Sequence, residues 1–266
     1  MIRRTLSLAA TFFRRDLAVD AAYKAALALE GLDVLLGAAA FYYFAQIVGD
    51  RRPGGYDAFA FLLIGVADNN AMTTSLTCFT RSVRNDQQNG VVKPLAAAPA
   101  AAATILALSA LYPIARALGG AGACLAAGAL LGLSYDAANP GTVLLVGIVA
   151  TAAFAAIGTL SAVFTLLLKR GDPVLWLFGT VSWLLGGVFF PVSVLPPELQ
   201  QVSSLLPMTH ALEAVRATLL NGASLGDVQG HLAVLALIAI AGLPLGLAGV
   251  SVATARGRQT GTLGHV

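Results

Sequence analysis

From Thr142 to Leu168 the chain runs for twenty-seven residues without one charged side chain. About twenty apolar residues are enough to cross a bilayer core as a helix. A second uncharged block, His231 to Thr254, follows later. Burying such blocks in a water-soluble globule needs a large polar surface, and this chain lacks one. Only 11% of its 266 residues are charged and 58% are apolar, with a mean hydropathy of +0.80. Soluble domains carry about 25% charged residues. The long blocks therefore indicate an α-helical membrane protein. A β-barrel would alternate apolar and polar residues in segments of about ten instead.

The remaining charge is arranged around these blocks. The formal net charge is +3 and the pI about 9.1. Because the basic residues flank the apolar stretches, they are read as topology signals, and no nucleic-acid partner is expected. Cys78 and Cys124 sit in apolar surroundings without Cys-x-x-Cys spacing, which reads as packing. "MIRRTLSLAATFF" starts like a signal peptide, but Arg14 and Arg15 follow with no small-residue cleavage site, so no cleaved leader is expected.

Along the chain, Leu6, Ala10, Phe13, Leu17 and Ala21 form one apolar stripe, and Asp16, Asp20 and Lys24 a charged row. With four arginines close by, this reads as a helix lying on anionic headgroups. Six spans are expected, at about 31–48, 58–79, 113–133, 142–168, 174–190 and 231–254. The apolar stretch 100–133 would measure about 50 Å as one helix, so its first part is read as an interfacial lead-in. Six spans place both termini on one side. Twelve Lys and Arg fall on that side, against Arg51, Arg52 and Arg216 on the other, with Arg116 ambiguous. Both termini are therefore expected in the cytoplasm.

Several chemistries are missing. The lysines Lys24, Lys93 and Lys169 follow Tyr23, Val92 and Leu168, so none closes a Gly-x-x-x-x-Gly-Lys phosphate loop. His210, His231 and His265 show no metal-ligand spacing. An intramembrane protease would have to pair Ser182 with His231, which lies at a span edge. The main polar feature within a span is in the second: Asp68, Asn69 and Asn70, then Thr73, Thr74, Thr77 and Arg81. An acid at that depth faces protein or water. Asp68 can line a substrate path or carry a proton; the alternative, favoured because no basic partner is evident, is a hydrogen bond to a neighbouring helix. Gly128-x-x-x-Gly132 and Gly242-x-x-x-Gly246 allow close helix packing.

After the fifth span comes "GGVFFPVSVLPPELQQVSSLLPMTHALEAVRATLLNG". Pro191 disturbs the helix, and Pro196 and Pro197 forbid its continuation. Pro197-Glu198 can start a short helix that Pro207 ends. Thr209 is read as the cap of a second helix, with Ala211, Leu212, Val215 and Leu219 on one face and Glu213 and Arg216 on another. Two amphipathic helices would thus lie on, or dip back into, the outer membrane face.

This segment resembles the external re-entrant region of type-2 ABC transporter permeases, the drug- and glycan-exporter class. The resemblance rests on Gly186, Gly187, Phe189, Phe190, Pro191, Leu195, Pro196, Pro207, Thr209 and Arg216. "DQQNGVVKPLAAAP" is similar to the family's coupling region, offering Asp86, Gly90, Val91, Leu95 and Pro99, with Lys93-Pro94 where an acid is common. The resemblance implies an all-α integral membrane protein forming one domain over residues 1–266. Its parts would be an N-terminal interfacial helix (1–30), spans one and two (31–79) and a cytoplasmic coupling helix with its lead-in (80–112). Spans three to five (113–190), short external re-entrant helices (191–228), span six (229–254) and a cytoplasmic tail (255–266) would follow. It further implies a multi-pass permease of the cell membrane that pairs with a second copy or a paralogue. A separate ABC ATPase subunit, holding ATP and Mg, would dock on the N-terminal helix and on Arg84 to Pro99. This chain itself would carry no cofactor and no catalytic residue, and its cargo would be a drug-like small molecule, a lipid or a glycan. A proton-coupled secondary transporter using Asp68, and an intramembrane enzyme, are the competing readings.

Overall fold

The computed structural model describes residues 2–49, 52–88, 107–135, 138–168 and 173–259. Nine α-helices are found among them: α1 (Ile2–Ala22), α2 (Lys24–Val48), α3 (Ala58–Gln88), α4 (Leu111–Leu130), α5 (Pro140–Leu168), α6 (Pro173–Leu185), α7 (Pro197–Ser203), α8 (Pro207–Leu220) and α9 (Gln229–Gln259). No strand occurs among the described residues.

Local chemistry sets the helix starts. Asp57 Oδ2 accepts the Ala60 amide at 3.1 Å and opens α3. Asn139 Oδ1 accepts the Thr142 amide at 3.3 Å, with Pro140 at the first position of α5. An accepting side chain satisfies an amide that has no partner inside the helix, and proline there lacks only an amide the helix does not use. Before α9, Asp227 Oδ2 accepts both the Ser224 amide and its hydroxyl, at 2.8 and 2.7 Å. Those two donors hold the Asp227 carboxyl below the usual carboxylate range.

Helix α5 is the axis of the bundle. It packs against α3, α9, α8 and α4. More than half of its apolar stretch is buried inside the chain, against 6% for α2. Small residues make the contacts close: Gly242 faces Ala156, Gly246 faces Thr159 and Gly249 faces Val163. On another side of α5, a methyl group at Gly158 would stand 2.7 Å from the Leu76 carbonyl oxygen of α3. Thr80 and Ser161 share a buried hydroxyl hydrogen bond of 2.9 Å across the same pair of helices. Phe154, Met72, Leu76, Met208, Leu212 and Leu235 fill the core. Of the two glycine pairs singled out by spacing, Gly242 and Gly246 do pack. Gly128 meets Leu63, but Gly132 has φ +93° and ends α4.

Among the described residues, four helical stretches are long and apolar enough to cross a membrane: Lys24–Val48, Ala107–Leu130, Pro140–Thr165 and Gln229–Ala253. The stretch expected at 113–133 therefore reaches back to Ala107. Helix α3 is long but dilutes its apolar residues with the row from Asp68 to Arg81. Helix α6 has thirteen residues, or about 20 Å, and stops at Leu185 rather than Phe190. Helix α1 breaks from α2 at Tyr23 (φ −96°, ψ 61°) and docks on α4. The Phe13 ring meets Tyr112 edge-on at 5.5 Å, and the Tyr112 hydroxyl donates to Asp20 at 2.6 Å. Arg116 pairs with Asp20 at 3.0 Å and also with Glu30. Asp20 is thus a docking residue of α1, not only part of a charged row.

Candidate functional site

The helix α6 ends three residues before Val188 because the chain turns at Gly186 and Gly187, the latter at φ +84°. A helix that stops leaves its last carbonyls without amide donors. Here side chains from later in the sequence supply them. Ser203 Oγ donates to the Leu185 carbonyl at 2.6 Å. Arg216 Nη1 donates to Gly187 O at 2.9 Å, and Nη2 to Val188 O at 3.3 Å. The same Nη2 reaches Phe61 O of α3 at 2.9 Å. The guanidinium carbon lies 3.5 Å from the Phe61 ring centroid, a cation–π contact.

One arginine of α8 thus ties α3 to the broken end of α6. It is only 4% exposed, and its Nε has no hydrogen-bond partner. Gly65 makes room for this arrangement, since a methyl group there would collide with the Val188 carbonyl oxygen and stand 3.0 Å from Arg216 Nη2. Phe61, Gly65 and Asp68 follow at spacings of four and three, hence on one face of α3. Arg216, 148 positions downstream, thus lies within one turn of α3 from Asp68, beside Gly65, and supplies a positive charge near it without forming an ion pair.

The expected gate residues gather around this point. Phe189 packs edge-on against Trp183 at 5.1 Å. Pro191 begins a short 3-10 turn, Val192–Val194, beside Gly54 of the α2–α3 loop. Phe190 is half-buried and Pro196 exposed. Pro207 occupies the first position of α8. Two expectations change. Arg216 does not share a polar face with exposed Glu213 but is buried in the core. Thr209 does not cap α8: Leu206 precedes the helix, and the Thr209 hydroxyl bonds Ser203 Oγ at 3.1 Å. Since Ser203 spends its proton on Leu185 O, Thr209 donates. The apolar face of α8, with Ala211, Leu212 and Leu219, is buried as its spacing predicts. On α7, by contrast, Leu199 and Val202 stay exposed.

The polar residues of α3 separate into two faces. Asp68 is turned into the bundle, while Asn70, Thr73 and Arg81 are exposed and Asn69 and Thr74 half-exposed. Thr73 donates to the Asn69 carbonyl at 2.9 Å and Thr77 to the Thr73 carbonyl at 2.8 Å, so these hydroxyls bond their own helix rather than a neighbour. Of the expected coupling residues, Arg84 and Asp86 fall on the last turns of α3, with side chains outside the described set. Gly90, Val91, Leu95 and Pro99 lie outside the described residues altogether.

Two further pairings bear on the competing readings. His210 and His231, scattered in sequence, meet at 3.0 Å through their Nδ1 atoms; His210 Nε2 lies 2.8 Å from Ser204 O, and His231 Nε2 3.5 Å from Glu213. Ser182 Oγ is buried without a hydrogen-bond partner. The Ser182–His231 pair that a protease needs is not assembled. No group of three or more potential metal ligands occurs among the described residues.

Residues 34–220 match the family model described as "ABC-2 type transporter", a stretch that contains α3, the broken end of α6 and Arg216. The chain is also similar to Nodulation protein J of Sinorhizobium fredii, with 39% identity over 64 residues. That similarity spans about a quarter of either protein, 24% of each. The family match covers well over half of the sequence, and the chain belongs to the ABC-2 type transporter family as a membrane transport component.

Proposed function

We propose that this chain is the permease subunit of an ATP-driven exporter. The observation that carries the reading is the uncovered polar face of α3. A helix buried elsewhere in the bundle leaves Asn70, Thr73 and Arg81 exposed along one side. Polar groups within a membrane belong against protein or water, so this side lines a path completed by a second copy or a paralogue. Helix α2 and the exposed Trp176, Leu177, Trp183 and Leu184 of α6 are then left to lipid or to that second subunit.

The broken end of α6 acts as the external closure of the path, with α3 and α6 joined by Arg216. The energy comes from a separate ATPase that binds ATP and Mg and docks on the cytoplasmic side, on α1 and the segment from Arg84 to Pro99. Six crossings, counting α3 and α6, leave both termini in the cytoplasm of a multi-pass cell-membrane protein. The pairing of Arg116 with Asp20 and Glu30 adds that arginine to the twelve basic residues on this side. The cargo is a hydrophobic small molecule, in the manner of multidrug efflux, with lipid and glycan as the other cargo classes.

Affinity capture of the tagged chain from its host in mild detergent tests this. A stoichiometric partner with a phosphate loop, whose ATP turnover rises in the complex, is the expected result. A homomer that binds no ATPase and supports proton-driven transport lost in Asp68→Asn would overturn it.

A further inference from the structure

A cavity of about 370 Å3 lies between α3, α4, α5 and α8, inside a single copy of the chain. Its walls are mostly apolar, with Ala71, Leu125, Val143 and Gly147 among them. Gly122 and Leu144 also line it and are exposed on the outside of the bundle, so the cavity opens between α4 and α5. This size is within the range of small-molecule sites, which are lined by apolar groups with a few fixed polar ones.

The polar groups around it are spoken for, with one exception. Tyr135 donates its hydroxyl to the Leu125 carbonyl at 3.0 Å, and Thr151 donates to Gly147 O at 2.8 Å. Asp68 also lines the cavity, is only 8% exposed, and its Oδ2 has no hydrogen-bond partner. A buried carboxylate oxygen without a donor is an expensive arrangement that a ligand can relieve. The charge of Asp68 is a separate matter, because Arg216, one turn of α3 away beside Gly65, already supplies an opposite charge without bonding that oxygen. An ammonium group would bring a second cation next to Arg216. A neutral donor would not.

We propose that this cavity binds a neutral, mainly apolar molecule carrying one hydroxyl or amide N–H, which enters between α4 and α5 and donates to the Asp68 carboxyl group. The site is complete within one copy and needs neither a second subunit nor an ATPase, so it stands apart from the export reading.

The test uses the full chain in lipid nanodiscs and a medium-chain alcohol bearing an aliphatic diazirine. Its methyl ether and the corresponding primary amine serve as comparisons. After irradiation, labelled peptides are mapped by mass spectrometry. The alcohol is expected to label peptides holding Ala71, Gly122 and Gly147 several-fold above the ether and the amine, and Asp68→Leu to bring it down to the ether's level. Gly122→Phe is the second variant. A methyl group at Gly122 would meet nothing within 4 Å, so the backbone there accepts a side chain at the opening. This variant should abolish labelling by all three probes at those peptides. Equal labelling by the three, or labelling unchanged in Gly122→Phe, would overturn the site. Preference for the amine would overturn the neutral-ligand assignment.

Discussion

Two arginines join distant parts of this chain, and they do so in opposite ways. Arg216 is buried and donates to three main-chain carbonyls. Arg116 has a side chain 42% exposed and binds two carboxylates, Asp20 and Glu30. The first fixes a break in the backbone, because two of its three carbonyls, those of Gly187 and Val188, are free to accept only where α6 has ended. The second docks an already complete helix, α1, on another, α4. A carbonyl has nowhere else to go in the interior, whereas an exposed acid always has water. The buried junction is therefore the more costly to disturb, although it holds less opposite charge in direct contact.

Arg216→Ala should produce the largest effect. It leaves the Gly187 and Val188 carbonyls without their side-chain donors, at a cost of about 1–3 kcal/mol for each. The thermal midpoint of the purified chain, and its yield, would report this. Arg216→Lys keeps the charge but not the fork, so less than half of the loss should be recovered. Full rescue by lysine would show that charge alone matters at this junction, and the contrast with Arg116 would fall.

Gly65→Ala comes next. The new methyl group presses on the Val188 carbonyl and on Arg216 without removing either. Overpacking of this kind costs about 1–3 kcal/mol. In combination with Arg216→Ala the losses should be clearly less than additive, because both act on one contact. Additive losses would separate Gly65 from the junction.

Arg116→Ala should be the mildest, at about 0.2–1 kcal/mol, as for exposed ion pairs. Its distinguishing mark is salt. Raising ionic strength should weaken the wild-type α1–α4 contact towards the variant's level, read as hydrogen exchange in α1, while leaving the Arg216 junction untouched. A salt effect of equal size at both ends would remove the distinction.

What could be read from the sequence follows the range of the interactions. The break after α6 was announced by Pro191, Pro196 and Pro207, each acting on its own neighbours. Its onset at Leu185 was not, because Ser203 and Arg216 determine it from 18 and 28 or more positions away. The buried stripe of α8 was legible from spacing alone, but the same spacing placed Arg216 on an outer face. An arginine is assigned to water by default, and only the carbonyls of a different element explain its burial. Asp68 was recognised as unusual, and the positive charge near it was missed for the same reason. Gly242 and Gly246 were correctly read as packing residues, whereas Gly132 turned out to be a helix stop; a glycine pair at that spacing does not distinguish the two. The His210–His231 contact had no sequence signal, since it depends on how α8 and α9 come together.

The small residues along α5 bear on how this molecule can move. With α3 against one side of it at Gly158 and α9 against another through Gly242, Gly246 and Gly249, the main chains meet with almost nothing compressible between them. Such a block has few internal degrees of freedom. A push applied at one end arrives at the other nearly undiminished, as through a strut. The joints lie around the block: the break at Tyr23, where the Arg116 pairs hold α1, and the glycine turn after Leu185, which Arg216 holds like a bolt.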